Sequence, residues 1–349
     1  MKKYPLLYAF IVLLFLITIL DIISPEKSFS ELENRKLASK VKFTVEGAVN
    51  GSFSKKYEEY TNDQFIGRDL WIDLKSRSEF LLGKIENNGV IYGKNNYLFD
   101  KFDTLDRERV VTNTKALNVF IKNAEDLGSD ISVMIVPSSY EVYKEMLPEG
   151  APLINQEEEI KLIYEELDSG RNLDILKIFQ ENNDKELYYK TDHHWNINGV
   201  YLAYKEYIES IGEMPISLSE LKRNEIYDFY GTFFSKAKPF NGESDILTYY
   251  DIPNIEMQIG SETYDSLYDL SYLNARDKYS IFLRGNNPLT IIKNKELNNG
   301  KKLLVIKDSF ANSMVPFLTQ NFEEIHVVDL RAFMPELFQY VKNEKFDNI

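Results

Sequence analysis

Two of the three histidines in the chain are neighbours, in the segment Asp192-His193-His194-Trp195. Alternate side chains of an extended segment share a face, so we expect Asp192 and His194 to point the same way and His193 the opposite way. A carboxylate beside an imidazole fixes its tautomer and stabilises the imidazolium during proton transfer. The pair is therefore a candidate general base, and an incidental Asp-x-His pair is the alternative. His193 is predicted to be structural, and Trp195 either walls the site or packs in the core.

A base of this kind acts on a nucleophile or beside a metal. Zinc sites normally use three or four protein ligands, but the chain has no cysteine and His326 is its one remaining histidine. A metal site would need several carboxylates, which leaves a carboxylate-rich metal hydrolase, sensitive to chelation, as a competing class. We predict a site with neither a metal nor a cofactor.

Ser309 is the predicted nucleophile. Residues 302–306 have the pattern of a buried strand, Lys307-Asp308-Ser309 ends it, and a helix is predicted from Phe310. A strand, a sharp turn, a serine and a helix form the arrangement of a nucleophile elbow, at the strand end where α/β folds place ligands. The alternative is that Asp308-Ser309 only caps the helix.

Further residues are candidates for oxyanion or substrate binding. Gly285-Asn286 follows a predicted strand, and a Gly N–H with an Asn amide forms either an oxyanion hole or an ordinary turn. Ser138 follows another predicted strand and is a candidate to line the same crevice. The complete predicted set is Asn286, Gly285, Lys307, Trp195 and Ser138.

Strands that alternate with amphipathic helices are predicted to position these residues. The alternation favours βαβ units and a parallel sheet, whereas residues 214–278, rich in Tyr, Ser, Asp and Glu, are predicted to be an irregular insertion. The predicted strands are residues 89–99, 131–136, 187–190, 279–283, 302–306 and 324–329. The predicted helices are residues 57–82, 107–127, 157–167, 199–211 with Asn198 as cap, 310–318 and 334–343.

The first 24 residues differ from the rest. Lys2 and Lys3 precede an uncharged, apolar run over residues 4–20, and a helix needs roughly 20 apolar residues to cross a bilayer. We predict a signal anchor over residues 1–24 with the N-terminus inside, because the lysines precede the span and no A-x-A cleavage site follows it. A cleaved signal peptide and a buried core helix are the alternatives. Residues 25–56 are predicted to be a tether, and residues 57–349 the α/β domain.

Composition argues against a nucleic-acid partner and excludes any site that needs cysteine. The 55 acidic and 41 basic residues give a net charge of -14, and phosphate binding needs a basic surface, so nucleic acid is not an expected partner. The absence of cysteine excludes disulfides, thiolate metal sites and cysteine nucleophiles.

The segment Asp192-His193-His194-Trp195 resembles the signature of the DHHW proteins, which are similar to the AlgX/AlgJ-like (alginate O-acetyltransferase) branch of the SGNH hydrolases. The resemblance covers nearly everything after the predicted anchor. Its other landmarks occur in family order, at residues 30–35, 63–69, 90–94, 282–286 and 307–310.

The resemblance implies a three-layer α/β/α, SGNH/flavodoxin-like domain with a mostly parallel sheet and a Ser-His-Asp triad, here Ser309, His194 and Asp192. It also implies transfer or hydrolysis of acetyl groups on polysaccharides outside the cytoplasm, with a membrane-bound O-acyltransferase as donor partner. The chain departs from the family where His193 and Arg284 replace expected small residues, and one more strand is expected where it stops at Ile349.

The predicted function is therefore acetyl transfer to a cell-surface or secreted polysaccharide by a single-pass membrane protein with an extracytoplasmic catalytic domain. Ser309 is expected to attack the donor, His194 to act as base and then acid, and Asp192 to orient His194. A carbohydrate acetyl esterase, and a non-catalytic glycan-binding or assembly protein on the same fold, are the alternatives.

Overall fold

The structure, a computed structural model, describes residues 4–30, 35–239 and 242–349. Its α-helices are α1 (Pro5–Ile23), α2 (Val45–Val49), α3 (Ser52–Gln64), α4 (Arg68–Leu81), α5 (Arg107–Glu125), α6 (Ser139–Val142), α7 (Gln156–Glu165), α8 (Ile175–Glu181), α9 (Ile197–Ser210), α10 (Thr232–Ala237), α11 (Val315–Leu318) and α12 (Leu337–Glu344). Short 3-10 helices cover Lys94–Asn96, Lys144–Met146, Leu218–Glu220, Leu270–Asn274, Lys278–Ile281 and Ser309–Ser313.

The strands are short and follow the same order along the chain. They are β1 (Phe29–Ser30), β2 (Arg35–Lys36), β3 (Glu86–Asn87), β4 (Val90–Tyr92), β5 (Leu98–Asp100), β6 (Ser132–Met134), β7 (Arg171–Leu173), β8 (Arg223–Phe229), β9 (Asp245–Tyr250), β10 (Ile255–Ile259), β11 (Glu262–Tyr264), β12 (Leu289–Asn294), β13 (Lys302–Ile306) and β14 (Glu324–Val328). The sequence-predicted elements that become β4, β5, β6, β13, β14, α5 and α7 are confirmed.

The largest sheet has the strand order β11-β10-β12-β14-β13. β13 and β14 are parallel, whereas the other neighbours in this sheet are antiparallel. β6 and β7 form a separate parallel pair. The sheet is thus mixed in direction, and the mostly parallel sheet that the sequence predicts is seen only in the part that carries β6, β7, β13 and β14.

The last three residues of the chain connect these two groups of strands. The Ser132 N–H donates to the carbonyl of Ile349 (2.9 Å), and the Leu304 N–H donates to the carbonyl of Asn348 (3.0 Å). Both bridges are parallel. Residues 347–349 therefore lie between β6 and β13 and make one continuous sheet of the two groups, in the position where the sequence analysis expects a further strand.

Helices cover both faces of this sheet. Adjacent residues of a strand point to opposite faces, and Leu303 and Leu304 belong to different buried clusters. Leu303 packs with residues of α8, α9 and α11, such as Phe317, whereas Leu304 packs with residues of α5 and α12, such as Ile121. The fold class is α/β, with the sheet enclosed between two helical layers.

Several predicted elements differ from the structure. Residues 279–281 lie in a 3-10 helix instead of a strand. The chain then turns at Leu283, Arg284 and Gly285, whose φ values of 52°, 57° and 83° are outside the range of a strand. Asn196, not Asn198, caps α9. The helical spacing over residues 57–82 becomes α3 and α4, separated at Gly67, whose φ is 65°.

The insertion over residues 214–278 is more ordered than its sequence indicates. It forms the antiparallel pair β8 and β9, with α10 in the connection between them, and the strands β10 and β11, which extend the main sheet at the edge beyond β12. The predicted tether over residues 25–56 contains α2 and the start of α3. Of the resembling segment at residues 30–35, positions 31–34 lie outside the described residues.

α1 is long and apolar enough to cross a bilayer, and none of its apolar window is buried against the rest of the described chain. A signal sequence near an N-terminus has the same properties.

Candidate active site

The structure brings Asp192, His194 and Ser309 together in one line of hydrogen bonds. The Ser309 hydroxyl donates to His194 Nε2 (2.8 Å), and His194 Nδ1–H donates to Asp192 Oδ1 (2.6 Å). Asp192 and His194 are buried, and Ser309 is half-buried at the surface end of the line. A buried carboxylate, an imidazole and a reachable hydroxyl in this order can activate the hydroxyl as a nucleophile.

Backbone donors hold the Asp192 carboxylate in place. Its Oδ1 accepts the His194 N–H (3.0 Å), and its Oδ2 accepts the N–H of Thr232, the first residue of α10 (2.7 Å). Burial works to raise the pKa of Asp192, but the imidazoles of His193 and His194 and these hydrogen bonds outweigh it and hold the pKa well below its usual range. The carboxylate is therefore ionised and fixed, as an orienting group must be.

Gly231 allows α10 to approach Asp192 this closely. A Cβ on Gly231 would lie 2.2 Å from Asp192 Cβ and 2.4 Å from its Oδ2. The Gly231 N–H donates to Thr191 Oγ1 (3.0 Å), and Asp245 accepts the N–H groups of Lys190 and Thr191 at 2.8 Å each. Residues of the insertion thus hold the segment before His193 in place, and none of them is predicted from the sequence because no local motif marks them.

His193 lies beside His194, not on the opposite side as the alternation of an extended segment predicts. Residues 191–194 form bends, and the two imidazole rings are 3.8 Å apart. His193 Nδ1 is 2.7 Å from Thr232 Oγ1. Burial lowers the pKa of His193 to about 4, against the opposing effect of Asp192, so this ring is neutral at physiological pH and adds no positive charge beside His194.

The turn that carries Ser309 follows β13 directly. The Lys307 N–H donates to the Val328 carbonyl (3.0 Å), which extends the β13–β14 pairing to the last residue before the turn. Asp308 then accepts the Phe310 N–H (2.9 Å) and caps the 3-10 helix. Asp308 alone supplies the cap that the sequence analysis considered for Asp308-Ser309, which leaves the Ser309 hydroxyl to His194.

Two buried aromatic residues brace this turn. Trp195 Nε1–H lies 3.0 Å from the Phe310 carbonyl and 3.1 Å from Ser313 Oγ. The Tyr279 hydroxyl is 2.9 Å from Ser313 Oγ and 3.2 Å from the Ser309 carbonyl. Trp195 is 1% exposed, so of its two predicted positions it takes the core one. Tyr279 was predicted only as a strand residue.

Asn286 lies next to this turn with its amide orientation fixed. Its Oδ1 accepts Lys307 Nζ–H (2.8 Å) and Asn312 Nδ2–H (3.1 Å). Two donors on the oxygen identify the other end of the Asn286 amide as its NH₂ group, which can donate hydrogen bonds. The Gly285 N–H donates instead to the Phe282 carbonyl (3.0 Å), and the geometry gives it no oxyanion role.

Lys307 and Ser138 complete the predicted set. Burial lowers the pKa of Lys307, and the opposing charge of Asp329, 3.6 Å from Nζ, partly compensates. The Ser138 N–H donates to Gln156 Oε1 (2.6 Å), and Gln156 Nε2 donates to Ser138 Oγ (3.3 Å). The structure thus pairs Ser138 with Gln156 of α7 and not with the line of hydrogen bonds at Ser309.

Two groups in the described chain place three possible metal ligands within 4.8 Å of one another. The first group is Asp192, His193 and His194, and the second is Glu324, His326 and Glu344. In the first group, both ring nitrogens of His194 already have hydrogen-bond partners, Asp192 and Ser309. In the second group, the Lys302 ammonium group forms ion pairs of 2.8 Å with Glu324 and with Glu344. In both groups, ligand atoms already take part in hydrogen bonds or ion pairs within the described chain.

The fold is similar to that of several solved structures. A DHHW family protein from Eubacterium siraeum is 24% identical, with 76% of this chain and 90% of that chain covered and a TM-score of 0.63. Bacillus cereus PatB1, solved with a sulfonyl adduct, is 19% identical, with 74% and 92% covered and a TM-score of 0.64. The O-acetyltransferase domain of Pseudomonas putida AlgJ is 13% identical, with 74% of this chain and 99% of that domain covered. Its TM-score of 0.44 is too low to support an argument.

None of the curated proteins compared with the chain matches it. The family model described as DHHW protein matches residues 128–328. This range is more than half of the chain and contains Asp192, His194 and Ser309. The chain therefore belongs to the DHHW protein family.

Proposed function

We propose that the protein is a membrane-anchored, extracytoplasmic acyltransferase that moves an acetyl group to a hydroxyl of a cell-surface or secreted polysaccharide. The observation that carries the proposal is the line of hydrogen bonds from Ser309 through His194 to Asp192, at 2.8 and 2.6 Å. The half-buried Ser309 hydroxyl stands at the accessible end, as the nucleophile of a covalent mechanism must.

In the first half-reaction, Ser309 Oγ attacks the carbonyl carbon of an acetyl ester while its proton passes to His194 Nε2. The tetrahedral intermediate collapses when the bond to the leaving oxygen breaks, and His194 returns the proton to that oxygen. The products are acetyl-Ser309 and the free alcohol of the donor. Asp192 stabilises the imidazolium in between and stays ionised.

In the second half-reaction, a polysaccharide hydroxyl attacks acetyl-Ser309 and gives its proton to His194. The proton returns to Ser309 Oγ as the acyl bond breaks, so the serine is regenerated and the acetyl ester of the glycan is released. If water takes the place of the glycan hydroxyl, the same residues hydrolyse the acetyl ester. The acceptor alone distinguishes a transferase from an esterase.

Asn286 is the proposed oxyanion donor. Lys307 and Asn312 fix its carbonyl oxygen, so its NH₂ group is preorganised and pays no reorientation cost when charge develops. Lys307 adds positive charge beside it. The backbone N–H of Ser309 is the second proposed donor.

The acetyl group and the polysaccharide enter the proposal through the resemblance to the alginate O-acetyltransferase branch. Membership of the DHHW family, whose signature carries this resemblance, supports it. The length and apolar character of α1 support an anchor, and Lys2 and Lys3 before it favour an extracytoplasmic catalytic domain. Because acetyl-CoA is cytoplasmic, a membrane-bound O-acyltransferase is the proposed source of the donor.

Turnover of 4-nitrophenyl acetate by the full chain in lipid nanodiscs tests the triad. We expect Ser309→Ala and His194→Ala to abolish turnover and Ser54→Ala, at an exposed serine of α3, to leave it unchanged. A mass increase of one acetyl group on the peptide with Ser309 is expected after brief reaction. Unchanged rates in both triad variants would refute the assignment.

A sulfonyl fluoride provides a second readout that does not depend on the substrate. It should modify Ser309 in the native chain and fail to do so in His194→Ala, since the hydroxyl then lacks its base.

Adding acetylatable oligosaccharides separates the transferase activity from the esterase activity, because a transferase forms glycan acetate in preference to free acetate. Activity lost on chelation would favour the metal hydrolase class.

A further inference from the structure

One face of α4 exposes large apolar side chains to solvent. Leu70, Leu74 and Leu81 are 76%, 56% and 73% exposed and recur at i, i+4 and i+11, so they lie on one side of the helix. Trp71 flanks them and is 54% exposed. A stripe of this kind on a water-soluble surface marks a contact with another apolar body.

The start of α4 is fastened to the end of α1. The Asp21 carboxylate, in the last turn of α1, accepts the Ile66 N–H (2.9 Å). Just beyond α1, the Lys27 N–H donates to Gln64 Oε1 (2.9 Å), and Gln64 Nε2–H donates to the Lys27 carbonyl (2.9 Å). Leu70 and Trp71 follow within one or two turns of these contacts. If α1 crosses the bilayer, the first turns of α4 therefore lie at the bilayer surface.

The charge of this region suits such a surface. Residues 35–85 contain ten Lys and Arg and seven Asp and Glu, a net charge of +3, whereas the whole chain has a net charge of -14. Basic residues near apolar ones favour an anionic lipid surface, since the two attractions add. The rest of the domain, being strongly acidic, is repelled by it.

We propose that α4 is an interfacial helix, which buries Leu70, Trp71, Leu74 and Leu81 in the boundary between lipid headgroups and acyl chains. The occupant of this face is the lipid bilayer in which α1 is anchored, so the inference rests on the anchor in the proposed function. Trp and Leu at the boundary are typical of helices that lie in the plane of a membrane.

This contact would set the height of the active site above the membrane. Ser76, buried on the inner side of α4, accepts Asn87 Nδ2–H (2.7 Å), and Asn87 also donates to the carbonyl of Ala237, the last residue of α10 (3.2 Å). Thr232, the first residue of α10, holds Asp192. Two hydrogen-bonded steps thus connect the interfacial helix to the helix that positions the triad.

The chain provides its own probe, because its two tryptophans are Trp71 and Trp195 and Trp195 is buried inside the protein. The full chain is placed in nanodiscs whose lipids carry bromine either near the headgroups or deep in the acyl chains. We expect shallow bromine to lower the emission to the level of a Trp71→Phe variant, deep bromine to lower it less, and the variant itself to be unaffected.

A second variant separates docking of the α4 face from mere proximity to α1. Leu70→Ser with Leu74→Ser changes two exposed positions, so the fold should persist, and we expect the shallow quenching of Trp71 to decrease. Equal emission with and without bromine, or quenching that the double variant leaves unchanged, would overturn the proposal. The first outcome would leave the face to a protein partner.

Turnover of the ester reporter in the same samples distinguishes this inference from the proposed function. Quenching without turnover would refute the triad and support the membrane contact of α4. Turnover without quenching would support the triad and refute the membrane contact. Intact mass of the sample determines whether α1 is retained. A chain that has lost α1 would refute the anchor, on which the membrane contact and the proposed localisation depend.

Discussion

Tyr279 stacks face to face on His194: the ring centroids are 3.7 Å apart and the planes differ by 8°. The Tyr279 hydroxyl also reaches the Ser309 carbonyl at 3.2 Å. One side chain therefore touches both the proposed base and the residue that carries the proposed nucleophile. An imidazole held between a carboxylate and an aromatic face cannot swing away from Ser309, so Tyr279 fixes the base-to-nucleophile distance.

Replacing Tyr279 separates the ring from the hydroxyl. Tyr279→Phe keeps the stack and removes the hydrogen bonds to the turn, so we expect a loss of about 1 kcal/mol in unfolding free energy and a modest decrease in kcat. Tyr279→Leu removes the stack and leaves a cavity, with an expected cost of about 2–4 kcal/mol and a larger decrease in kcat. Urea unfolding and ester turnover measure the two effects. Equal kcat in both variants would contradict a positioning role of the ring.

Asn286→Asp tests the oxyanion donor with little change of shape. The carboxylate still accepts from Lys307 and Asn312 but has no N–H to donate, so turnover should decrease by about 100- to 1,000-fold while the protein stays folded. Asn343→Ala, at an exposed position of α12, is the matched control. Native turnover in Asn286→Asp would exclude the side chain from the oxyanion hole.

Gly231→Ala should act through Asp192. The new methyl group would overlap the Asp192 side chain, and overpacking of this kind costs about 1–3 kcal/mol. Because the carboxylate must move, we expect kcat to decrease at least tenfold, with a smaller change in KM. Gly128→Ala, where φ is 94° and no atom lies within 4 Å, should lose stability, by about 1–2 kcal/mol, without losing kcat. Parallel losses of kcat in both variants would argue against a specific effect on Asp192.

The free energy of unfolding should decrease as the pH is lowered below neutrality, because of His193. Its folded-state pKa of about 4 lies below the ordinary value of 6.5, so the unfolded chain binds the proton more readily between these values. The contribution is complete above pH 6.5 and is lost as the pH falls towards 4. Since the side chain is 35% exposed, solvent screening limits the effect to about 1 kcal/mol. Unfolding of native protein and of His193→Gln from pH 4 to 7 measures it, and identical pH profiles would refute it.

The sequence predicted the elements whose information is local. The buried pattern of β13 and the polar turn after it place Ser309 correctly, and the amphipathic spacing of α5 and α7 gives both helices within two residues at each end. Hydrophobic periodicity needs no knowledge of distant parts of the chain, which is why these predictions are accurate.

The features that the sequence predicts wrongly or not at all depend on contacts between residues distant along the chain. Residues 279–283 have the composition of a strand, but the stack of Tyr279 on His194 and the left-handed residues Leu283 and Arg284 impose a different path. Gly231 and Thr232 support Asp192 from 40 residues away along the chain, without a pattern of their own. Side-chain alternation placed His193 wrongly because it assumes an extended backbone, and the segment bends.

The position of residues 347–349 between β6 and β13 has a consequence for the order of assembly. A segment made after β14 must enter between strands separated by about half of the chain, and its backbone groups pair with both. The sheet therefore cannot close during synthesis until Ile349 has emerged, however early β6 and β7 pair. Contacts of such sequence separation slow folding, and an exported chain would keep the edges of β6 and β13 unpaired, and open to aggregation, until that moment.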